Sequence, residues 1–145
     1  MDYTPENRGK PQYLGRMKQV ISFEGMNIMG NITPTDIDGY FEAQGKLFVF
    51  FEMKREGCDL PYGQRLALTR NVDCIQTAGR EAALFICTHN VADITKPVIA
   101  KDTIVQKIYY KGKVYDYSGK NLKLKYCVDD FVKTAKRRGI LEEVT

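Results

Sequence analysis

The stretch Ile37-Asp-Gly-Tyr-Phe-Glu-Ala-Gln-Gly-Lys-Leu-Phe-Val-Phe-Phe-Glu-Met-Lys54 decides how this chain folds. It holds two apolar segments, IDGYFEA and KLFVFFEMK, separated by a short polar turn. The second carries no charge between Lys46 and Glu52, the signature of a central strand covered on both faces. Ala43-Gln44-Gly45 fits a three-residue hairpin loop with glycine in the left-handed position. Buried strands rarely finish on a carboxylate and an ammonium, yet this one ends in Glu52 and Lys54.

Strand side chains alternate between faces, so Glu52 and Lys54 project from the same face. With Glu42 paired to Lys46 across the loop, Asp36 lies opposite Glu52 and Asp38 opposite Phe50. The polar residues then gather on one face at one end of the hairpin, whereas a different loop length would undo the arrangement. Converging carboxylates repel one another unless something compensates, and a divalent cation does so. Asp38 and Glu52 offer hard oxygen ligands for Mg²⁺ or Mn²⁺, ions that keep several waters and accept phosphate oxygens. Lys54 is placed to orient or deprotonate an attacking water and to offset charge developing on phosphorus. This chemistry is phosphodiester hydrolysis. A surface salt bridge at a strand end is the plainer reading of the same residues.

Outward from the hairpin, a loose helical pattern runs over residues 7–22, and GMNIMGNITPTD reads as a loop. Beyond it, LPYGQRLALTRNVDCIQTAG reads as a helix begun at Pro61 and ended by Gly79. AALFICTH is a second buried strand, expected parallel to the first because a helix intervenes. DTIVQKIYYKGKVYDYSG reads as a hairpin turning at Lys111-Gly112, and NLKLKYCVDDFVKTAKRRG as an amphipathic helix. The sum is one α/β domain over residues 1–145, a small mixed central sheet flanked by helices.

The 145 residues suffice for a real core, and no apolar run approaches the length needed to span a bilayer. The polar, mixed-charge N-terminal stretch does not resemble a secretory signal, so a cytoplasmic protein without membrane contact is expected. The cysteines, Cys58, Cys74, Cys87 and Cys127, form no CxxC pair. That argues against structural zinc and for reduced thiols mostly in or near the core. A net charge of +4 permits nucleic-acid contact without requiring it. Lys10, Arg16 and Lys18 near the start, with Arg65 and Arg70 on the crossover helix, are the candidate backbone contacts. Solvated helix faces account for such charges equally well. Tyr109, Tyr110, Tyr115 and Tyr117, interleaved with lysines, suit either base stacking or ordinary strand packing. His89 reads as a hydrogen-bonded strand-end residue more than a general base.

Ile37-Asp38-Gly39 followed by Glu52-Met53-Lys54 resembles the signature of the PD-(D/E)XK nuclease superfamily: an acid on one strand, then acid, any residue and lysine on the next. The element order over residues 7–90 is also similar to that superfamily's core. The resemblance implies a restriction-endonuclease-like fold and metal-dependent cleavage of DNA or, less often, RNA. It implies further that Gln64, early in the helix after the motif strand, supports the site. An acid from the opening helix would join it, with Glu24 the candidate and Glu6 behind it. Asp36 duplicates the motif acid, as a second metal ligand or as a turn cap. The expected protein is a small Mg²⁺- or Mn²⁺-dependent nuclease acting on nucleic acid, DNA favoured and selected by structure, with a homodimer plausible. Two rivals stand beside it: a catalytically silent nucleic-acid- or protein-binding module on the same fold, and a hydrolase of small phosphorylated molecules.

Overall fold

The computed structural model describes residues 20–143. Its contacts divide the chain into two compact units, Met1–Pro34 and Thr35–Thr145. In the first, Ile28 and Ile32 exchange backbone hydrogen bonds of 2.8 and 3.0 Å. They close a tight turn in which Met29 and Gly30 both have positive φ. The expected helix over residues 7–22 falls outside the described residues except for its last three positions, which are not helical.

The second unit is built on a five-stranded mixed sheet. Strands β1 (Gly39–Ala43), β2 (Leu47–Arg55), β3 (Glu81–His89), β4 (Ile104–Tyr110) and β5 (Lys113–Asp116) lie side by side in chain order. All neighbours are antiparallel except β2 and β3, which run parallel. A parallel pair needs a crossover, and helix α1 (Tyr62–Thr77) provides it. Helix α2 (Leu124–Arg137) follows the β4–β5 hairpin.

The two helices cover opposite faces, and alternation along the strands sorts the core between them. Phe50 of β2 and Ala82 and Leu84 of β3 pack with Leu68 and Val72 of α1. Leu47 and Val49 of β2 and Ala83, Phe85 and Cys87 of β3 pack with Leu124, Cys127, Val128 and Ala135 of α2. Both central strands are therefore buried on both faces, which is why their sequences read as continuous apolar runs. Gly79, at φ 85°, ends α1: its N–H donates to Gln76 C=O at 2.9 Å and that of Arg80 to Ile75 C=O at 3.2 Å. Such C-terminal bonding satisfies carbonyls the helix would leave orphaned.

The hairpin register differs from the expected one. Ala43 pairs with Leu47 and Glu42 with Phe48, so the loop is Gln44-Gly45-Lys46, one residue further along the chain. Lys46 N–H donates to Ala43 C=O at 3.0 Å around Gln44 and Gly45, both at positive φ, and Glu42 Oε1 accepts from Gly45 N–H at 2.8 Å. Extending β1 through Ala43 packs that methyl group against the α2-side core. Sliding the loop by one residue moves the register by two. Every side chain consequently keeps its expected face while its cross-strand partner changes.

Of the cysteines, Cys87 and Cys127 are buried and Cys58 and Cys74 exposed, all four as free thiols. Among the described residues no helix is long and apolar enough to cross a membrane.

Candidate functional site

The corrected register carries Asp38 to Glu52. Gly39 pairs with Phe51, so the residue before Gly39 stands level with Glu52, where Asp36 was expected. Asp38 precedes the regular strand, and its carboxylate continues the ladder: Oδ2 accepts the N–H of Met53 at 2.8 Å. Gly39 makes this close approach workable. A Cβ at that position would lie 2.0 Å from the Phe51 ring, which folds across the glycine on the opposite face from Asp38.

Glu52 has no exposed surface. Its Oε1 accepts the side-chain amide of Gln64 at 3.0 Å, and the same amide nitrogen reaches the main-chain carbonyl of Asp36, also at 3.0 Å. Gln64 is aimed there by helix geometry, since Gln64, Leu68 and Val72 fall at i, i+4 and i+8 on the stripe of α1 facing the sheet. Glu52 Oε2 is buried, with no hydrogen-bond partner among the described residues. A buried ionised carboxylate left like this is costly, and the carboxyl responds by being pushed up to about 8. Burial is the main cause, followed by the neighbouring Asp38 carboxyl, which favours a proton on Glu52 and whose charge repels the ionised form. The Asp38 main-chain amide and the Lys54 ammonium pull the other way.

The site thus consists of two adjacent carboxyls, each tethered through one oxygen: Asp38 by the main chain of β2, Glu52 by α1. Either a shared proton or a cation offsets their repulsion. Two neighbouring carboxyls, one with an oxygen left unpartnered among the described residues, are hard-oxygen donors of the kind that suits Mg²⁺ or Mn²⁺. Among the described residues no group of three or more His, Cys, Asp or Glu side chains gathers to hold a metal. The protein donors here number two, and a cation held by them would complete its shell with water and substrate oxygens.

Lys54, two residues beyond Glu52 on β2, shares its face and lines a cleft of about 690 Å³ between α1 and the β4–β5 side of the sheet. Arg65 lines the same cleft; Arg70 is exposed and lies outside it. Asp36 does not stand opposite Glu52, and its recorded tie to the site is its main-chain carbonyl. Glu24 belongs to the first unit, where it sits in a turn with Gly25 and not on the helix expected to carry it. Lys10, Arg16 and Lys18, and Glu6 with them, lie outside the described residues. The interleaved tyrosines separate: Tyr109 packs on the α1 face with its hydroxyl donating to Asp73 at 2.7 Å, while Tyr110, Tyr115 and Tyr117 line a groove against α2. His89 Nδ1 accepts the N–H of Val91 at 3.1 Å.

Two contributors were not anticipated from sequence. One is the Met53 amide, whose partner depends on register. The other is the fit between Gly39 and Phe51; a glycine opening an edge strand that faces an aromatic run was the available signal. Comparison of the chain with protein-family models, curated proteins and solved structures finds no match.

Proposed function

We propose that the protein is a metal-dependent nuclease of the PD-(D/E)XK type, hydrolysing phosphodiester bonds in nucleic acid, DNA in preference to RNA. The observation that carries this reading is the buried Glu52 carboxyl, with one oxygen unpartnered, set beside Asp38 and followed on the same face by Lys54. Glu52 puts a carboxyl at a fully buried position of β2. Burying one without full compensation is expensive, and sites that do chemistry are where such costs are met.

Asp38 and Glu52 would hold Mg²⁺ or Mn²⁺, whose bound form supplies Lewis-acid stabilisation of the phosphate and a water of lowered pKa. The remaining work falls to the chain's own groups. Lys54 orients the attacking water and offsets charge on the phosphate oxygens. Gln64 holds Glu52 Oε1 in place, leaving Oε2 as the oxygen free to take a cation. The Met53 amide fixes the orientation of the Asp38 carboxylate. The order of elements, an antiparallel hairpin bearing the acids and then a helical crossover to a parallel strand, supports a restriction-endonuclease-like core.

The test is incubation of the purified protein with supercoiled plasmid, single-stranded DNA, branched DNA and RNA, in Mg²⁺, Mn²⁺ or EDTA, beside Lys54→Ala. Cleavage that needs the cation and vanishes in the variant is the expected result. If every polymer stays intact while the folded protein binds one of them, the catalytic reading fails and the domain is a binding module.

A further inference from the structure

The cleft beyond Lys54 has a composition that the two-carboxylate site does not require. Its floor includes the half-buried apolar side chain of Ile86 on β3, with the buried Leu84 beneath it. Tyr62 and Arg65 of α1 form part of one wall, and Lys107 and Tyr109 of β4 part of the other. Among the described residues, Lys54, Arg65 and Lys107 are the cations lining it, against a single carboxylate, Asp59. Tyr62 opens α1 with its side chain largely exposed, and the Arg65 guanidinium lies 5.8 Å over its ring. An exposed aromatic braced on one face by a cation is a platform for a second flat group on the other.

From this juxtaposition we infer that the cleft is a binding channel for an unpaired polynucleotide strand, in which a base lodges against Tyr62 and the apolar floor while Arg65 and Lys107 hold the flanking phosphates. The inference rests on the nuclease reading and deepens it by naming the substrate form. A duplex keeps the faces of its bases stacked away and offers only their edges in the grooves. The faces that an apolar floor and a tyrosine ring accept are available in an unpaired strand. The size agrees: about 690 Å³ is the volume of a small-ligand site, room for one or two nucleotides and not for a double helix. Because Lys54 lines this cleft and follows Glu52 on the same strand face, a strand threaded here lies against the lysine to which the nuclease reading gives the attacking water.

The test is fluorescence anisotropy of the full chain in EDTA, which prevents cleavage. The probes are a labelled thymine-rich DNA strand, the matching uracil-rich RNA, and the DNA strand annealed to its complement. Binding of either unpaired strand about tenfold or more tighter than the duplex is expected, and the ratio of the two assigns the sugar. Tyr62→Ala should weaken strand binding by about 5- to 50-fold, while Tyr62→Phe retains it. Lys107→Ala should lower the salt dependence of strand binding by about 0.7 in log–log slope. Both positions are exposed, and unchanged melting temperatures verify the fold. Duplex binding as tight as the strand, or strand binding untouched by Tyr62→Ala and Lys107→Ala together, overturns the inference. Cleavage assays with Mn²⁺ and Lys54→Ala separate the two readings. Lys54-dependent cutting without strand preference rejects the channel and keeps the nuclease; strand preference without cutting keeps the channel and rejects the nuclease.

Discussion

The side-chain amide of Gln64 donates to Glu52 Oε1 at 3.0 Å, tying the first turn of α1 to the end of β2. The same nitrogen holds the main-chain carbonyl of Asp36, so one glutamine fixes both the buried acid and the segment leading into β1.

Gln64→Ala should therefore damage activity without removing any group that touches substrate. Loss of a residue that orients a metal-binding carboxylate costs about 10- to 100-fold in metal affinity or activity. The drop should appear chiefly as a higher Mn²⁺ concentration for half-maximal cleavage. Gln64→Glu, which brings a third carboxyl to the pair, should be worse than Gln64→Ala. Equal cation requirements in all three proteins would remove Gln64 from the site.

Glu52 makes stability depend on pH in a defined direction. Its carboxyl is raised from 4.5 to about 8 in the folded chain. The folded state thus holds a proton that the unfolded state releases. This contribution is full below about pH 4.5 and is lost as pH rises through about 8. In EDTA, the melting temperature should fall over that window, by the equivalent of about 3–5 kcal/mol given one raised carboxyl. Glu52→Gln keeps the side-chain shape, cannot ionise, and should flatten that decline. A parent protein that becomes more stable across this range would contradict the geometry.

A cation should substitute for that proton. Mn²⁺ added near neutral pH should raise the melting temperature and release close to one proton per protein into weakly buffered solution, because ligands bind metal deprotonated. Asp38→Asn and Glu52→Gln should each abolish most of both effects. Lys54→Ala should preserve them while eliminating cleavage, since Lys54 is not placed among the ligands. Proton release that survives both acid substitutions would locate the metal elsewhere.

Much of this arrangement is legible in the sequence. The uncharged run from Leu47 to Phe51 marked a strand covered on both faces, and Gly79 and Lys111-Gly112 marked a helix end and a hairpin. Period-two alternation puts Glu52 and Lys54 on one face, and the two-residue difference in register leaves the faces unchanged. The partner of Glu52 was not legible. It depends on which residues the loop consumes, and Ala43-Gln44-Gly45-Lys46 accommodates the turn at either of two positions. What settles it is the packing of Ala43 against the α2-side core, a long-range term that local spacing does not carry. Gln64 was better encoded than its polar character suggested, for it sits one turn before Leu68 on the stripe that α1 buries. The separation of the tyrosines was hidden for a related reason: Tyr109 and Tyr110 are neighbours in sequence but belong to opposite faces of β4.

The register itself is testable through Gly39. A Cβ there would meet the Phe51 ring at 2.0 Å, a contact that cannot exist without movement of the ring or of β1. Gly39→Ala should cost about 1–3 kcal/mol, the range for overpacking at a filled position. Because Asp38 is the adjoining residue and holds the Met53 amide, displaced β1 should also weaken Mn²⁺ binding. Removing the obstacle should reverse much of this: in a Phe51→Ala background, the same glycine substitution should cost under about 0.5 kcal/mol. A double-mutant cycle across Gly39 and Phe51 should then yield a coupling of about 1 kcal/mol or more, whereas additive effects would mean the two residues are not in contact. Under the register expected from sequence, with Glu42 opposite Lys46, Gly39 would stand opposite Val49, and its coupling would run to Val49 instead of Phe51. The cycle therefore measures which residue of β2 Asp38 stands beside.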